Sequence, residues 1–333
     1  ADWALFGKNG GDATSLAVMI AREFTGKKKI IKIDDGYHGV APWMQPKGSP
    51  GTLSSATDQV LTVEWNDLDS FEKIISDHPN EVACFISSPY NHPAFADNEL
   101  PQEGYWRKIS SLCKKNGIIL IVDDVRAGFR INLAGSNVAY GFKPDLICFG
   151  KAIANGYPLS ALVGSNDLKD AAEKVYFTGT QFFSAAPMAA AKATLLELRK
   201  SDAANKMTDF GERLNKALIK TAKDCGFKLV ASGIPAMPYY RLDGVDRETH
   251  FSWIDHCVKN GAGSLPVGGK GWTRETKMTL ISRDCVVFGR NLVSKVFSPL
   301  FSLRRSFLFA LLDRIHPDFV PLEKLPQKIF IQT

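Results

Sequence analysis

Six short apolar runs alternate with helix-like segments along the first 150 residues, and this alternation constrains the fold more than any other feature. Helical patterns such as Ala13–Thr25 and Trp106–Lys115 separate the runs. Parallel strands need a crossover between them, usually a helix, so this order favours a parallel sheet covered by helices. The sequence therefore predicts an α/β fold with a mostly parallel sheet. The apolar runs lie at residues 3–6, 30–33, 60–64, 82–87, 118–123 and 145–149.

The rest of the sequence predicts a long surface loop, a smaller second domain and a tail. Residues 41–59 are rich in Pro, Gly, Ser and Thr, which is typical of a long surface loop. A helical pattern over Thr208–Asp224 precedes strand-like pieces and a second helix near residue 250, which indicates a smaller domain. The predicted division is a large domain at 1–199, an incomplete small α/β domain at 200–261, and an atypical basic and hydrophobic tail at 262–333.

The net charge of +6 does not indicate a nucleic-acid-binding protein, because of where the charge lies. Residues 262–333 hold 11 Lys/Arg and 5 Asp/Glu, so the tail accounts for the whole excess and the rest of the chain is neutral. A nucleic-acid-binding domain more often carries its basic patch on the folded body. The chain also has no apolar span of about 18 residues, so no membrane span is predicted.

The positions of the cysteines and histidines argue against a disulfide framework and against a metal site. The six cysteines are scattered, three of them in apolar runs, and this pattern favours reduced thiols in a cytoplasmic protein over a disulfide framework. No signal peptide is recognised in these residues, so secretion is not expected. No Cys-x-x-Cys pair occurs and the six histidines lack metal-ligand spacing, so no metal site is predicted.

The stretch GIILIVDDVRAGFR contains an apolar run that ends in two carboxylates, Asp123 and Asp124. An ionised aspartate is seldom fully buried without a partner, because desolvating the charge costs several kcal/mol. Strand alternation places Asp123 and Val125 on one side of the strand and Asp124 on the other. We therefore expect a cationic partner at this strand end. A helix cap or an ion pair with Arg126 or Arg130 is the simpler alternative.

Two further elements point to the same edge of the sheet. Lys151 directly follows the next strand, DLICFG, and neighbouring strands lie about 4.8 Å apart, so Lys151 and Asp123 are expected in one crevice. In FGKNGGDATSLAVMIARE, a strand end and a Gly-Gly turn lead into a helix, whose free amides form an anion site. A carboxylate, a lysine and a phosphate cradle suit pyridoxal phosphate. Singly, each element is commonplace, and the loop lacks the GxGxxG of a dinucleotide site.

Together these motifs resemble those of the class III (fold type I) pyridoxal-phosphate aminotransferases, in particular the glutamate-1-semialdehyde 2,1-aminomutase branch. IVDDVRAGFR looks like the family's Asp-Glu-Val-x-x-Gly-Phe-Arg, and PDLICFGKAIANGYPLSALVG looks like the stretch with the Schiff-base lysine. DDGYHG matches the family's Tyr-His-Gly, NGGDAT its phosphate loop, and FTGTQFFSAAPMAAAKATL a later Thr…Pro segment. The resemblance covers residues 1 to about 261 and implies a three-layer sandwich, the fold type I large domain.

The resemblance implies catalytic roles for three of these residues, Lys151, Asp123 and Tyr37. Lys151 would form the Schiff base and then move a proton between substrate and cofactor. Asp123 would keep the pyridine nitrogen protonated, so that the expected cation is the cofactor's own pyridinium. Tyr37 and Val125 would pack against the two faces of the ring. Asp124, on the opposite side of the strand, would brace the turn that follows.

The resemblance also implies which residues bind the rest of pyridoxal 5'-phosphate. Asn9, Gly10 and Gly11 would cradle the phosphate, His38 belongs to the Tyr-His-Gly segment, and Thr180 would reach the phosphate of the partner subunit in a homodimer. The chain departs from the family here. Its phosphate loop lacks the usual Ser and Thr hydroxyls, and Thr180 lies two residues too far from the following proline.

Two functions follow from the resemblance. The first is transfer of an amino group from a small-molecule donor to a keto or aldehyde acceptor, as in an aminotransferase, or within one molecule, as in an aminomutase. The alternative is a truncated, catalytically silent relative that binds only cofactor or a partner subunit, because the family's N-terminal segment and most of its C-terminal domain are not recognised in the sequence. A Rossmann-type dehydrogenase is a more distant possibility, since the sequence lacks GxGxxG.

Overall fold

The computed structural model describes residues 1–93 and 96–259. In this range the strands are β1 Trp3–Gly7, β2 Lys29–Ile33, β3 Val60–Val63, β4 Val82–Ser87, β5 Ile119–Asp123, β6 Leu146–Phe149, β7 Ser160–Gly164, β8 Lys228–Ser232 and β9 Tyr239–Asp243. The α-helices are α1 Gly10–Thr25, α2 Ser54–Thr57, α3 Leu68–Asp77, α4 Tyr105–Lys115, α5 Ser136–Ala139, α6 Lys169–Lys174, α7 Ala185–Lys200, α8 Ala203–Asp224 and α9 Arg247–Lys259. Short 3₁₀ helices lie at Pro42–Met44, Lys151–Ala154 and Asn166–Leu168.

The first seven strands form one sheet in the order β1-β7-β6-β5-β4-β2-β3. Strands β2 to β6 pair in parallel, whereas β7 runs antiparallel to both of its neighbours, β1 and β6. All six apolar runs of the sequence coincide with strands of this sheet. The predicted α/β fold with a mostly parallel sheet is therefore confirmed, and β1 ends at the same edge of the sheet as the parallel strands.

Helices cover both faces of this sheet, which gives three layers. On β5, Ile121 packs in the same apolar cluster as Leu16 and Ile20 of α1, while Leu120 packs on the other face with Ile109 of α4. Burying each such side chain contributes about 1.5–3 kcal/mol. A strand that is covered on both faces has no position for a solvated side chain, and this explains why β5 reads as an unbroken apolar run.

Helix α1 begins and ends where its sequence dictates. The Asp12 carboxylate accepts hydrogen bonds from the amides of Lys8 and Asn9, both at 2.8 Å, and so fixes the chain at the start of the helix. At the other end Gly26 adopts a left-handed conformation with φ 67°, and its amide donates to the carbonyl of Arg22. Glycine is the usual residue at such a helix end because it has no Cβ to clash.

The chain divides into two compact units. One comprises residues 1–211 and 232–238; the other comprises 212–231 and the described residues from 239 onward. In the second unit, Leu218 and Ala222 of α8 share an apolar cluster with Tyr240 and Leu242 of β9 and Trp253 of α9. The division of the sequence at 199/200 stays a prediction, and the predicted tail at 262–333 lies outside the described residues.

The segment at 41–59 is more ordered than its composition predicts. It contains the 3₁₀ turn Pro42–Met44 and the short helix α2. Proline has a backbone angle suited to the first position of a helical turn. The side chains of Met44 and Thr57 are buried and anchor these turns to the body.

The described part of the chain contains neither a disulfide nor a helix suited to crossing a membrane. The five cysteines it contains are free thiols, and four of them are buried. No helix in that part is long and apolar enough to cross a bilayer.

Candidate active site

A cavity of about 870 Å³ opens at the edge of the sheet where β1, β5 and β6 end. The start of α1, the loop after β2 and the segments that follow β5 and β6 form its walls. Eight of the nine site residues proposed from the sequence line this one cavity. They are Asn9, Gly10, Gly11, Tyr37, His38, Asp123, Val125 and Lys151.

Asp123 is the last residue of β5 and lies beside Cys148 of β6. Its side chain is hydrogen-bonded on both oxygens: His38 Nδ1 donates to Oδ2 at 2.8 Å, and the amide of Val125 donates to Oδ1 at 3.1 Å. The loop that carries His38 is tied to α1, because Thr14 Oγ1 donates to the carbonyl of His38 at 2.6 Å. The partner within the chain is thus a buried histidine, which the sequence did not identify.

Asp124 points away from the cavity, as strand alternation predicts. Its carboxylate accepts hydrogen bonds from the amide and the hydroxyl of Ser136, at 2.8 Å and 2.5 Å, and so holds the start of α5. Its backbone carbonyl accepts from the amide of Gly128, so the main chain of Asp124 braces the turn that follows. Burial raises the pKa of Asp124 to about 7, although the hydrogen bonds from Ser136 act in the opposite direction.

Lys151 begins the 3₁₀ turn that follows β6 and projects into the cavity. Its backbone lies in the left-handed region with φ 43°, a conformation that costs a non-glycine residue about 1 kcal/mol or more. The side chain is reached by solvent through the open cavity, yet the cavity walls desolvate its amine. This desolvation lowers the pKa of Lys151; Asp123 opposes the shift, and the positive charges of Arg126 and Arg130 add to it.

The start of α1 lines the cavity, and the first of its two glycines has no space for a side chain. A Cβ atom at Gly10 would lie 2.7 Å from Cγ1 of Val125, whereas one at Gly11 would sit 3.5 Å from Gly39 in ordinary contact. The first amides of an α-helix lack intrahelical acceptors, so those of Gly10 and Gly11 are donors for an anion.

Of the predicted residues Tyr37 and Thr180, only Tyr37 lines the cavity. Tyr37 lines the cavity, but 62% of its surface is exposed, and its packing on a cofactor ring stays a prediction. Thr180 is exposed and is not among the residues that line the cavity. Its role toward a partner subunit likewise stays a prediction.

Several residues that line the cavity were not predicted from the sequence. Two of them could have been predicted, because Lys8 and Arg126 are positively charged residues within the phosphate-loop motif and the Asp123 motif. Ser88 and His92 follow β4, and no local pattern distinguished them. These residues, together with Ser15, Tyr157 and Phe177, complete much of the lining.

Residues 1–232 match the family model described as Aminotransferase class-III. The chain belongs to the class III aminotransferases. The resemblance read from the motifs is thereby confirmed for the family.

Two curated relatives are similar to this chain over most of its length. This class III aminotransferase is 39% identical over 262 residues to an aminopentol aminotransferase of Sphingopyxis macrogoltabida, an alignment that covers 78% of this chain and 62% of that protein. It is 34% identical over 234 residues to a 3-aminobutyryl-CoA aminotransferase of Cloacimonas acidaminovorans (strain Evry), covering 70% of this chain and 56% of that protein. The chain therefore spans about three fifths of the length of these relatives.

The fold comparison agrees. The structure of the FumI protein of Sphingopyxis sp. MTA144, solved in its pyridoxal-phosphate internal aldimine form, superimposes with a TM-score of 0.80 at 34% identity. The alignment covers 94% of this chain and 72% of that chain. The predicted fold type I architecture is confirmed.

Proposed function

We propose that this chain binds pyridoxal phosphate and transfers an amino group from a small-molecule donor to a keto or aldehyde acceptor. One observation carries the proposal: a hydrogen-bonded carboxylate, Asp123, and a lysine of lowered pKa, Lys151, line the same cavity as the start of α1. Both curated relatives are named aminotransferases, which favours transfer between molecules over an aminomutase reaction.

The donor set fits the chemistry of this cofactor. The amides of Gly10 and Gly11 suit a phosphate, and the absence of a side chain at Gly10 lets Val125 pack closely against the start of α1. At the far side of the cavity, Asp123 suits a protonated ring nitrogen. When bound, the cofactor supplies an electron sink that lets a C–H bond next to the amino group break.

Asp123 would hold a proton on the ring nitrogen of the ligand. The two hydrogen bonds from His38 and Val125 hold the carboxylate in one orientation inside the cavity. His38 is therefore a positioning residue for Asp123.

Lys151 would accept a proton from the substrate carbon that carries the amino group and deliver it to the aldehyde-derived carbon of the cofactor. Only the neutral amine can accept a proton, and burial together with the charge of Arg126 favours that form. Val125 and Tyr37 would exclude water from the two faces of the ligand. The homodimer, the contact of Thr180 with a partner subunit and the cytoplasmic location stay predictions.

A cofactor titration followed by a substrate screen tests the proposal. Added pyridoxal phosphate should give the absorbance change of a lysine-bound cofactor, and borohydride reduction with peptide mapping should locate the adduct on Lys151. Amino donors should then yield keto or aldehyde products with a suitable acceptor. Binding without transfer across a broad screen would favour the catalytically silent alternative, and an adduct on another lysine would overturn the assignment of Lys151.

A further inference from the structure

The ammonium group of Lys8 has no hydrogen-bond partner among the described residues. It directly follows β1, and its side chain lines the same cavity as Asn9, Gly10 and Gly11. Its Nζ atom is buried and has no hydrogen-bond partner within residues 1–93 and 96–259. A buried ammonium without a partner is costly, because it has lost water and gained no acceptor.

Other lysines of this fold show what an enclosed ammonium normally receives. Lys32, which is also buried, donates to the carbonyls of Asp34 at 2.9 Å and Gly36 at 3.3 Å. Lys27 donates to the carbonyls of Asn116 and Gly117 at 3.0 Å and 2.9 Å. The fold thus satisfies these two lysines with its own backbone, and Lys8 differs from them.

The nearby carboxylates are engaged elsewhere. Asp12, four residues along the chain, accepts from the backbone amides of Lys8 and Asn9 and makes no ion pair with the Lys8 ammonium. Asp123, on the far wall, is hydrogen-bonded to His38 and Val125. An anion that enters the cavity at the start of α1 would give the Lys8 ammonium its missing partner.

The phosphate loop of this chain offers backbone amides but no side-chain hydroxyl, because it reads Asn9-Gly10-Gly11. The hydroxyl of Thr14, one turn further on, already donates to the carbonyl of His38, and the next hydroxyl, that of Ser15, lines the cavity. A dianionic phosphate at this position would meet backbone amides and the partial positive charge of the helix terminus. Lysine is a common phosphate ligand because its ammonium is a compact charge with three donors.

We infer that Lys8 binds the phosphate of the cofactor and takes the place of the missing hydroxyls; this inference rests on the proposed function. Lys8 is then a binding residue that discriminates a phosphorylated cofactor from its dephosphorylated form. Lys8 has no role at the reacting carbon, where the proposed function assigns proton transfer to Lys151.

The test compares two ligands that differ only in the phosphate. Dissociation constants of pyridoxal phosphate and of pyridoxal are measured by absorbance titration of the full chain at fixed ionic strength. The variants are Lys8→Met, which keeps the length of the side chain but not its charge, and Lys8→Arg, which keeps the charge. Lys73→Met is the control, because Lys73 is an exposed residue of α3 that pairs with Asp77 away from the cavity.

The Lys8→Met variant should bind pyridoxal phosphate about tenfold or more weakly than the wild type, the effect of one charge-assisted hydrogen bond. It should bind pyridoxal with wild-type affinity, which also shows that the cavity has folded. Lys8→Arg should recover part of the loss, and inorganic phosphate should compete with pyridoxal phosphate less well in Lys8→Met than in the wild type.

Three results would overturn the inference. Unchanged affinity of Lys8→Met for pyridoxal phosphate would show that Lys8 does not bind the phosphate. An equal loss for both ligands would mean that Lys8 shapes the cavity instead. A wild-type chain that binds neither ligand would remove the proposed function along with the inference, whereas the first two results leave the proposed function intact.

Discussion

His38 Nδ1 lies 2.8 Å from Asp123 Oδ2, and both side chains are buried where the loop after β2 meets the end of β5. The two residues are 85 positions apart in the chain, so the contact exists only because β2 and β5 flank β4 in the sheet. The hydrogen bond fixes a carboxylate at the floor of the cavity, with Lys151 in the same cavity.

Removing His38 should leave the buried Asp123 carboxylate with only one of its two hydrogen-bond donors, the amide of Val125. His38→Phe should therefore lower the free energy of unfolding by about 3 kcal/mol, because Oδ2 of Asp123 stays buried without a donor. In urea denaturation without cofactor, the double variant His38→Phe/Asp123→Asn should lose less than the sum of the single variants. Strict additivity would mean that the two side chains do not stabilise each other.

The two adjacent aspartates should differ in their effect on activity. Asp123→Asn should slow proton abstraction on the order of a hundredfold or more, because a neutral amide cannot stabilise a protonated ring nitrogen. Asp124→Asn should cost much less, since Asp124 faces Ser136 and not the cavity. Single-turnover rates with a saturating amino donor measure both effects, and equal losses would contradict the strand-face assignment.

Arg126 should set the pH range in which Lys151 is active. Its charge helps to lower the pKa of Lys151, so Arg126→Gln should raise that pKa. The basic form would then appear only at higher pH, and the rising limb of the rate against pH should move toward alkaline values. Arg107→Gln, a change at an exposed position of α4, is the matched control. A rising limb that stays in place in Arg126→Gln would contradict the prediction.

Gly10 should tolerate a methyl group far less well than its neighbour. Gly10→Ala places a Cβ 2.7 Å from Val125 and should cost about 1–3 kcal/mol of stability and weaken cofactor binding. Gly11→Ala makes only an ordinary 3.5 Å contact and should be milder. Thermal unfolding and cofactor titration compare the two variants. Adding Val125→Ala should recover stability in Gly10→Ala, and a failure to do so would rule out the clash.

Asp124 should make stability depend on pH near neutrality. Burial raises its pKa to about 7 in the folded chain, so the folded state holds a proton that the unfolded state releases at lower pH. The stability that this protonation provides is present at low pH and is lost as pH rises through about 7. Between the two pKa values, the free energy of unfolding of the wild type should fall relative to Asp124→Asn by about 1.4 kcal/mol per pH unit. Urea denaturation from pH 5 to 8 would disprove this if the two curves ran parallel.

The sequence by itself determined the elements and the family. Each apolar run predicted a strand of the sheet, because the apolar pattern of a strand is set by residues close together in the sequence. The run of β5 is unbroken because helices cover both of its faces. The motifs located Asp123 and Lys151 at strand ends, and parallel strands bring such ends to one edge. Helix α1 begins at Gly10, three residues before the predicted Ala13. The Gly-Gly pair was expected to form a turn before the helix, but it belongs to the first turn of the helix itself.

Only the tertiary structure decided which side chains meet. The pairing of Asp123 with His38, the two hydrogen bonds from Ser136 to Asp124 and the solitary Lys8 ammonium all depend on strand order and on how distant loops close over the sheet. No local pattern contains that information, because a hydrogen bond between remote residues is set by the packing of everything between them. The motifs therefore identified the residues suited to the chemistry, while the tertiary structure determined which hydrogen-bond partners surround them.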